Sequence, residues 1–256
     1  MLDIIEHGDI REIRLARPPV NALNGEMLVR IGAAVTAARS SSALVITGQP
    51  GVFSAGLDVP AILALDRDAM VQVFLALWRA QRAIAFSPVP VVFGITGHCP
   101  AGGTVLAMHA DYRVMASKPS AGGDFRLGLN EVQVGLFPGS VIHGAFRRLV
   151  GGHAAQLLTR GALIDPATAL RVGLVDELCE TERCAARALE VAREICALPR
   201  EAMLQTRALA REDLVALFGA PADAERHSRE FAETGADMFS VPATRERLAA
   251  MFAKKK

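Results

Sequence analysis

Several marks of familiar protein classes are missing from this chain of 256 residues. It has no excess of charge of either sign: 28 Lys and Arg stand against 27 Asp and Glu, for a net charge of +1. A nucleic-acid partner or a polyanionic surface is therefore not expected. No run approaches the roughly 18 apolar residues of a membrane helix, so no membrane partner is expected either. The start carries Asp3, Glu6 and Asp9 in place of a basic-then-apolar leader, which points to the cytoplasm. Cysteine is scarce. Cys99, Cys179, Cys184 and Cys196 form no CxxC pair and have no histidines at zinc-finger spacing, so they read as reduced thiols and no metal is expected. Lys254–Lys256 read as a solvated tail.

Common ligand-binding signatures are missing too. There is no GxGxxG, no Lys-Ser/Thr after a glycine loop, and no GxSxG nucleophile elbow. Ser54 has no His or acid at a recognisable spacing and reads as a small loop residue.

What is present is a large apolar fraction, 51%, enough for one sizeable core with an appended helical piece. Apolar and β-branched runs predict strands at Leu2–Ile5, Ile10–Leu15, Ala43–Thr47, Val89–Ile95, Tyr112–Ala116, Phe125–Leu127 and Leu174–Glu177. Helical spacing predicts helices at about 21–39, 60–86, from 104 to 109, 138–149, 151–158, 166–172 and 181–197. From Pro199 onward the chain reads as helical, broken near Gly219-Ala220-Pro221, Gly235 and Pro242. Strands alternating with helices imply an α/β fold with a mostly parallel sheet. The expected division is a core over 1–197 and a helical subdomain over 198–256.

The chain is organised around Gly97–Asp111, GHCPAGGTVLAMHAD. An apolar strand precedes it and an apolar helix follows it. Between them Gly102 and Gly103 leave backbone amides bare at a helix start, where an anion is welcome. A second loop of small residues, Phe53–Asp58, also follows a strand, at the end where α/β folds put ligands. Two such turns could aim two amides at one oxygen and form an oxyanion hole, in which losing one donor typically costs about 3–4 kcal/mol.

FSAGLD at 53–58, GHCPAGG at 97–103 with ADYRVMA at 110–116, GLNEVQVGLFPG at 128–139, and RPPVNAL at 17–23 together resemble the crotonase (enoyl-CoA hydratase/isomerase) superfamily. The motifs stand in family order and the resemblance covers nearly the whole chain. It implies a spiral of β-β-α units with C-terminal helices that assemble homotrimers or homohexamers. It also implies an acyl-CoA thioester substrate, with CoA part of the substrate and no separate cofactor. Carried over by position, the amides of Leu57 and Gly102 would hold an enolate. Backbone around Val20, Ala22, Ser54 and Ala55 would line the CoA, and Gly103 beside the turn would also contact the substrate. Asp58 would shape the adenine-side loop.

Hydratases of this family carry two glutamates. The first falls here on Val105, which can neither hold nor protonate anything; the second falls on Glu131. Water addition needs one group to orient water and another to deliver a proton, whereas a proton shift needs one carboxylate. Glu131 in an apolar pocket should have its pKa raised toward neutrality. CPAGG, DYRVMA, GLNE and the closing MFSVPATRERLAAMF are similar to mitochondrial-type Δ3,Δ2-enoyl-CoA isomerases. The Ser117–Asp124 segment is longer than in those isomerases. The expectation is a Δ3,Δ2-enoyl-CoA isomerase of fatty-acid metabolism. The alternatives are an enoyl-CoA hydratase with a non-standard second acid and an inactive CoA-binding scaffold.

Other residues invite simpler readings. His98 should bond locally, and His109 and Asp111 should be structural, Asp111 pairing with Arg113 or another basic residue. His143 is a candidate polar helper of the acyl pocket. Trp78 and Phe74 read as core, and Cys99 as inert filler.

Overall fold

The computed structural model describes residues 1–119 and 123–253. The Lys254–Lys256 tail and the middle of the Ser117–Asp124 segment lie outside the described residues. The elements run β1 (Leu2–His7), β2 (Ile10–Leu15), α1 (Gly25–Ala37), β3 (Ala43–Thr47), β4 (Gly51–Val52), α2 (Val59–Leu63), α3 (Arg67–Ala85), β5 (Val91–Ile95), β6 (Gly97–Pro100), α4 (Gly102–Ala107) and β7 (Tyr112–Ala116). They continue with β8 (Leu127–Gly128), α5 (Gly139–Val150), α6 (Ala154–Arg160), β9 (Leu163–Ile164), α7 (Pro166–Val172), β10 (Glu177–Cys179), α8 (Cys184–Cys196), α9 (Arg200–Ala210), α10 (Asp213–Phe218), α11 (Ala224–Ser240) and α12 (Pro242–Ala253).

The larger sheet has the order β1-β2-β3-β5-β7-β10. β1 and β2 form an antiparallel hairpin, and every later pairing in that sheet is parallel. β3 and β5 are buried along their whole length, as expected of unbroken apolar strands covered on both faces. Side-chain caps explain several boundaries. Asn24 accepts from the Met27 amide at 2.9 Å and starts α1 later than its periodicity implies. Asp66 accepts from the Ala69 amide at 2.8 Å, so the single helix expected over 60–86 is two helices.

Three further expectations are corrected. The last strand of the core runs Glu177–Cys179, beginning at the final residue of the 174–177 segment, because its register is set by pairing with Val114–Ala116. Gly235 does not break the C-terminal helices but lies inside α11. A Cβ there would come within 2.7 Å of the Phe74 ring, so glycine serves close packing of α11 on α3. A second sheet, β4-β6-β8-β9, has only β8 foreshadowed, by the strand expected at Phe125–Leu127 that lies instead at Leu127–Gly128; β4 and β9 are only two residues long and carry no pattern.

Ala232, Ala236, Phe239 and Leu248 of the C-terminal helices belong to the same buried cluster as Ile13, Phe93 and Met115 of the larger sheet. Among the described residues, no helix is long and apolar enough to cross a membrane.

Candidate active site

The small sheet assembles the site. β4 pairs with β6 through Gly51↔Gly97 and Val52↔His98, and β6 pairs with β8 through Cys99↔Leu127 and Pro100↔Gly128, all parallel. The three strands therefore deliver their succeeding segments to the same edge: the 53–58 loop after β4, the Ala101–Gly102 turn after β6, and Leu129-Asn130-Glu131 after β8. Gly97 makes the first pairing possible, since a Cβ there would lie 2.1 Å from the Gly51 carbonyl carbon. Thr104 ties the other two strands, its hydroxyl donating to the Cys99 carbonyl and accepting from the Gly128 amide at 2.9 Å.

Two amides meet at that edge. Ala101 caps α4 with φ +48 and ψ −118, a positive-φ conformation that alanine enters only at a cost of about 1–3 kcal/mol, and gives its first turn no side-chain partner. A Cβ on Gly102 would lie 3.1 Å from the Leu57 nitrogen, and one on Gly56 would lie 3.1 Å from the Gly102 nitrogen. The two N–H groups are thus neighbours, and neither has a backbone acceptor among the described residues. Any larger residue at 102 would stand between them.

Glu131 opens the 3₁₀ turn Glu131–Val134. The residue is half-buried, but its Oε2 is closed off from solvent and has no hydrogen-bond partner. Burial pushes its pKa up from 4.5 to about 7, against a smaller lowering from its own backbone. A group near neutrality can both take and return a proton.

Glu131, Leu57 and Gly102 line one cavity of about 590 Å³ together with Ala55 and Val105. Its other walls are mostly apolar, from Phe74 and Leu77 of α3, Val141 and Ile142 of α5, and Phe231, Met238 and Phe239 of α11. The polar groups on it are few. Asn130 flanks Glu131; Ser140, His227, Glu230 and Thr234 are the others. Glu230 is exposed and pairs with Arg226 at 3.1 Å.

The remaining expected site residues lie outside the lining. Ser54 is buried and its hydroxyl donates to the Asn21 carbonyl at 2.8 Å. The Val20 carbonyl accepts from the Ala55 amide at 2.9 Å, and the Ala22 carbonyl accepts from Arg17 at 2.8 Å. Asp58 caps α2 through the Ala61 amide at 3.2 Å and pairs with Arg17 at 2.7 Å. A Cβ on Gly103 would meet the Cys99 sulfur at 3.0 Å, so Gly103 serves packing under the turn.

His143 is not among the lining residues, and Phe74, read as plain core, is. His98 accepts from the Arg126 amide at 3.2 Å, a local bond as expected. His109 bonds Gln81 at 3.2 Å, and burial, then Arg211, Arg148 and Arg113, push its pKa down to about 3. Asp111 pairs with Arg207 at 2.8 Å and Arg211 at 2.7 Å; Arg113 instead pairs with Asp176 at 2.7 Å. Burial pushes the Cys99 thiol pKa up, which keeps it protonated and inert.

Sequence reasoning missed the contribution of α11. Phe231, Gly235, Met238 and Phe239 recur at helical spacing, a signal of one apolar face, but nothing in the spacing says that the face closes a ligand cavity.

Comparison with known proteins agrees with this architecture. The sequence profile described as "Enoyl-CoA hydratase/isomerase" matches residues 6–238. Human enoyl-CoA delta isomerase 1, mitochondrial, is 31% identical over 212 residues, spanning 78% of this chain and 67% of that protein. The probable enoyl-CoA hydratase echA17 of Mycobacterium avium is 32% identical over 199 residues, spanning 76% of this chain and 75% of that protein. The crystal structure of human mitochondrial delta3-delta2-enoyl-CoA isomerase superimposes with a TM-score of 0.87 at 25% identity, covering 99% of this chain and 97% of that one.

Proposed function

The chain belongs to the enoyl-CoA hydratase/isomerase family, and within it we propose that it is a Δ3,Δ2-enoyl-CoA isomerase working through a single carboxylate. The observation that carries the reading is Glu131: a carboxyl with an unpartnered buried oxygen, raised to about 7, on the cavity that also holds the Leu57 and Gly102 amides.

In this mechanism Glu131 takes a proton from C2 of a 3-enoyl-CoA. The electron pair left behind spreads over C2, C3 and C4 and onto the thioester oxygen. The amides of Leu57 and Gly102 donate to that oxygen as its charge grows. Protonated Glu131 then returns the proton to C4, and the double bond settles between C2 and C3. No water enters the equation, which suits the apolar wall at Val105. The CoA portion would run along the 17–23 and 53–58 loops, with Asp58 and Arg17 bracing them.

The second reading, water addition to a 2-enoyl-CoA, draws on Glu230, the other carboxylate on the cavity. Its exposure and its pairing with Arg226 argue against it as the partner acid.

Purified protein given a 3-enoyl-CoA is expected to generate the absorbance of the conjugated 2-enoyl product, while crotonyl-CoA keeps its absorbance. Rapid loss of crotonyl-CoA absorbance would replace isomerisation with hydration. Equal turnover of 3-enoyl-CoA by wild type and Glu131→Ala would leave only a CoA-binding scaffold.

A further inference from the structure

Asn21 lines no part of the cavity, yet it is fully buried and densely bonded. Its Oδ1 accepts from the Arg17 amide at 2.8 Å and its Nδ2 donates to the Phe53 carbonyl at 3.0 Å. Its own carbonyl accepts from the Ser54 hydroxyl at 2.8 Å. Its φ of +49 lies in the left-handed region, where asparagine is among the few side chains at ease.

The loop these bonds hold has a pattern of its own. The amides of Phe53 and Ser54 donate to the His98 carbonyl at 2.9 and 3.2 Å, that of Ala55 to the Val20 carbonyl at 2.9 Å, and that of Asp58 to the Leu23 carbonyl at 3.0 Å. The Gly56 amide donates at 3.1 Å to the Ser54 hydroxyl, the same hydroxyl that Asn21 anchors. Among the described residues, the Leu57 amide alone in this run has no acceptor within the protein. The acceptors at 20 and 23 flank Asn21, and Arg17 fastens their loop to Asp58 at 2.7 Å.

We infer that Asn21 is a positioning residue for the oxyanion hole: it clips the 17–23 loop to the 53–58 loop so that every amide of the 53–58 run but that of Leu57 is occupied, and that one is aimed into the cavity. The inference rests on the reading of Leu57 as an oxyanion donor. It does not depend on whether the reaction is isomerisation or hydration.

Two variants test it. Asn21→Gly keeps the left-handed backbone and removes both side-chain bonds. Asn21→Asp keeps the acceptor for Arg17 and loses the donor to Phe53. Each is compared with wild type by turnover of 3-enoyl-CoA and by the infrared band of the thioester C=O of bound crotonyl-CoA, which shifts to lower frequency as donors polarise it. Mis-aiming one donor should lower kcat by about 10–100-fold with KM within about threefold, and shrink the band shift. Asn21→Asp should fall between Asn21→Gly and wild type. A merely structural Asn21 would lower Tm and leave the band in place, and that result, with kcat unchanged, overturns the inference. If Asn21→Gly does not fold, Asn21→Asp carries the same test. A wild-type protein that shifts the band but does not isomerise 3-enoyl-CoA would end the isomerase reading and leave the Asn21 comparison decisive. A wild type with no band shift would remove the oxyanion hole and the role of Asn21 with it.

Discussion

Glu12 is fully buried and Glu131 has one carboxylate oxygen closed off from water, and the two glutamates are handled in opposite ways. Glu12 lies in β2 with its carboxylate fully engaged: Thr47 donates to it at 2.6 Å, His7 bonds it at 2.8 Å and Arg14 reaches it at 3.0 Å. Burial raises its pKa, but the hydrogen bonds from Thr47 and His7 and the charge of Arg14 outweigh that, and the net shift is downward. Glu131 has burial without such partners and is pushed up to about 7. Partners turn a buried carboxylate into a fastening of the sheet. Withholding them leaves one that destabilises the fold while ionised and is ready to exchange a proton.

The comparison can be broken in four places. Glu131→Gln should reduce isomerisation by about 10²–10⁴-fold, the usual worth of a general acid–base group, and wild-type activity should rise with pH through about 7 as the carboxylate forms. A flat profile between pH 5 and 9 would separate the raised pKa from the chemistry. Glu12→Ala should destabilise by about 2–3 kcal/mol in urea titrations because Thr47 and Arg14 lose their acceptor, while kcat of the folded fraction stays within about twofold. The stability Glu12 contributes is present above its unfolded pKa and is lost as pH falls through its lower folded value.

Glu131 has the opposite sign. Near pH 4 and below, the group is protonated in both states and costs nothing. As pH rises the unfolded chain ionises first, so a penalty grows up to about pH 7 and is constant above. Glu131→Gln should therefore stabilise by about 1–3 kcal/mol at pH 8 and by almost nothing at pH 4, read from denaturation midpoints. His7→Ala, which removes one partly exposed partner of Glu12, should cost about 0.5–1 kcal/mol.

Much of this was legible in the sequence where a pattern is long or a side chain carries the signal. β3, β7 and α7 fall where apolar runs and the helix expected from Pro166 place them. Glu131 and the two glycine-rich turns stand in motifs that name them. What was not legible is what depends on distant pairing. β4 and β9 are too short for any periodicity, β8 begins two residues later than the Phe125–Leu127 strand expected there, and β6 reads as the start of a turn, yet together these strands bring residues 57, 102 and 131 to one edge. The same is true of α11, whose apolar stripe could cover any surface, and of Asn21, whose burial comes from a loop some thirty residues away in sequence.

Gly235, set against Phe74, has a consequence for how the protein is made. The wall it permits is built from the last quarter of the chain, whereas Leu57, Gly102 and Glu131 emerge from the ribosome well before. At roughly 5–20 residues per second, the nascent polypeptide spends several seconds with residues 57, 102 and 131 translated and their cavity open. Only when α11 emerges and settles on α3 is that side of the cavity walled off from water.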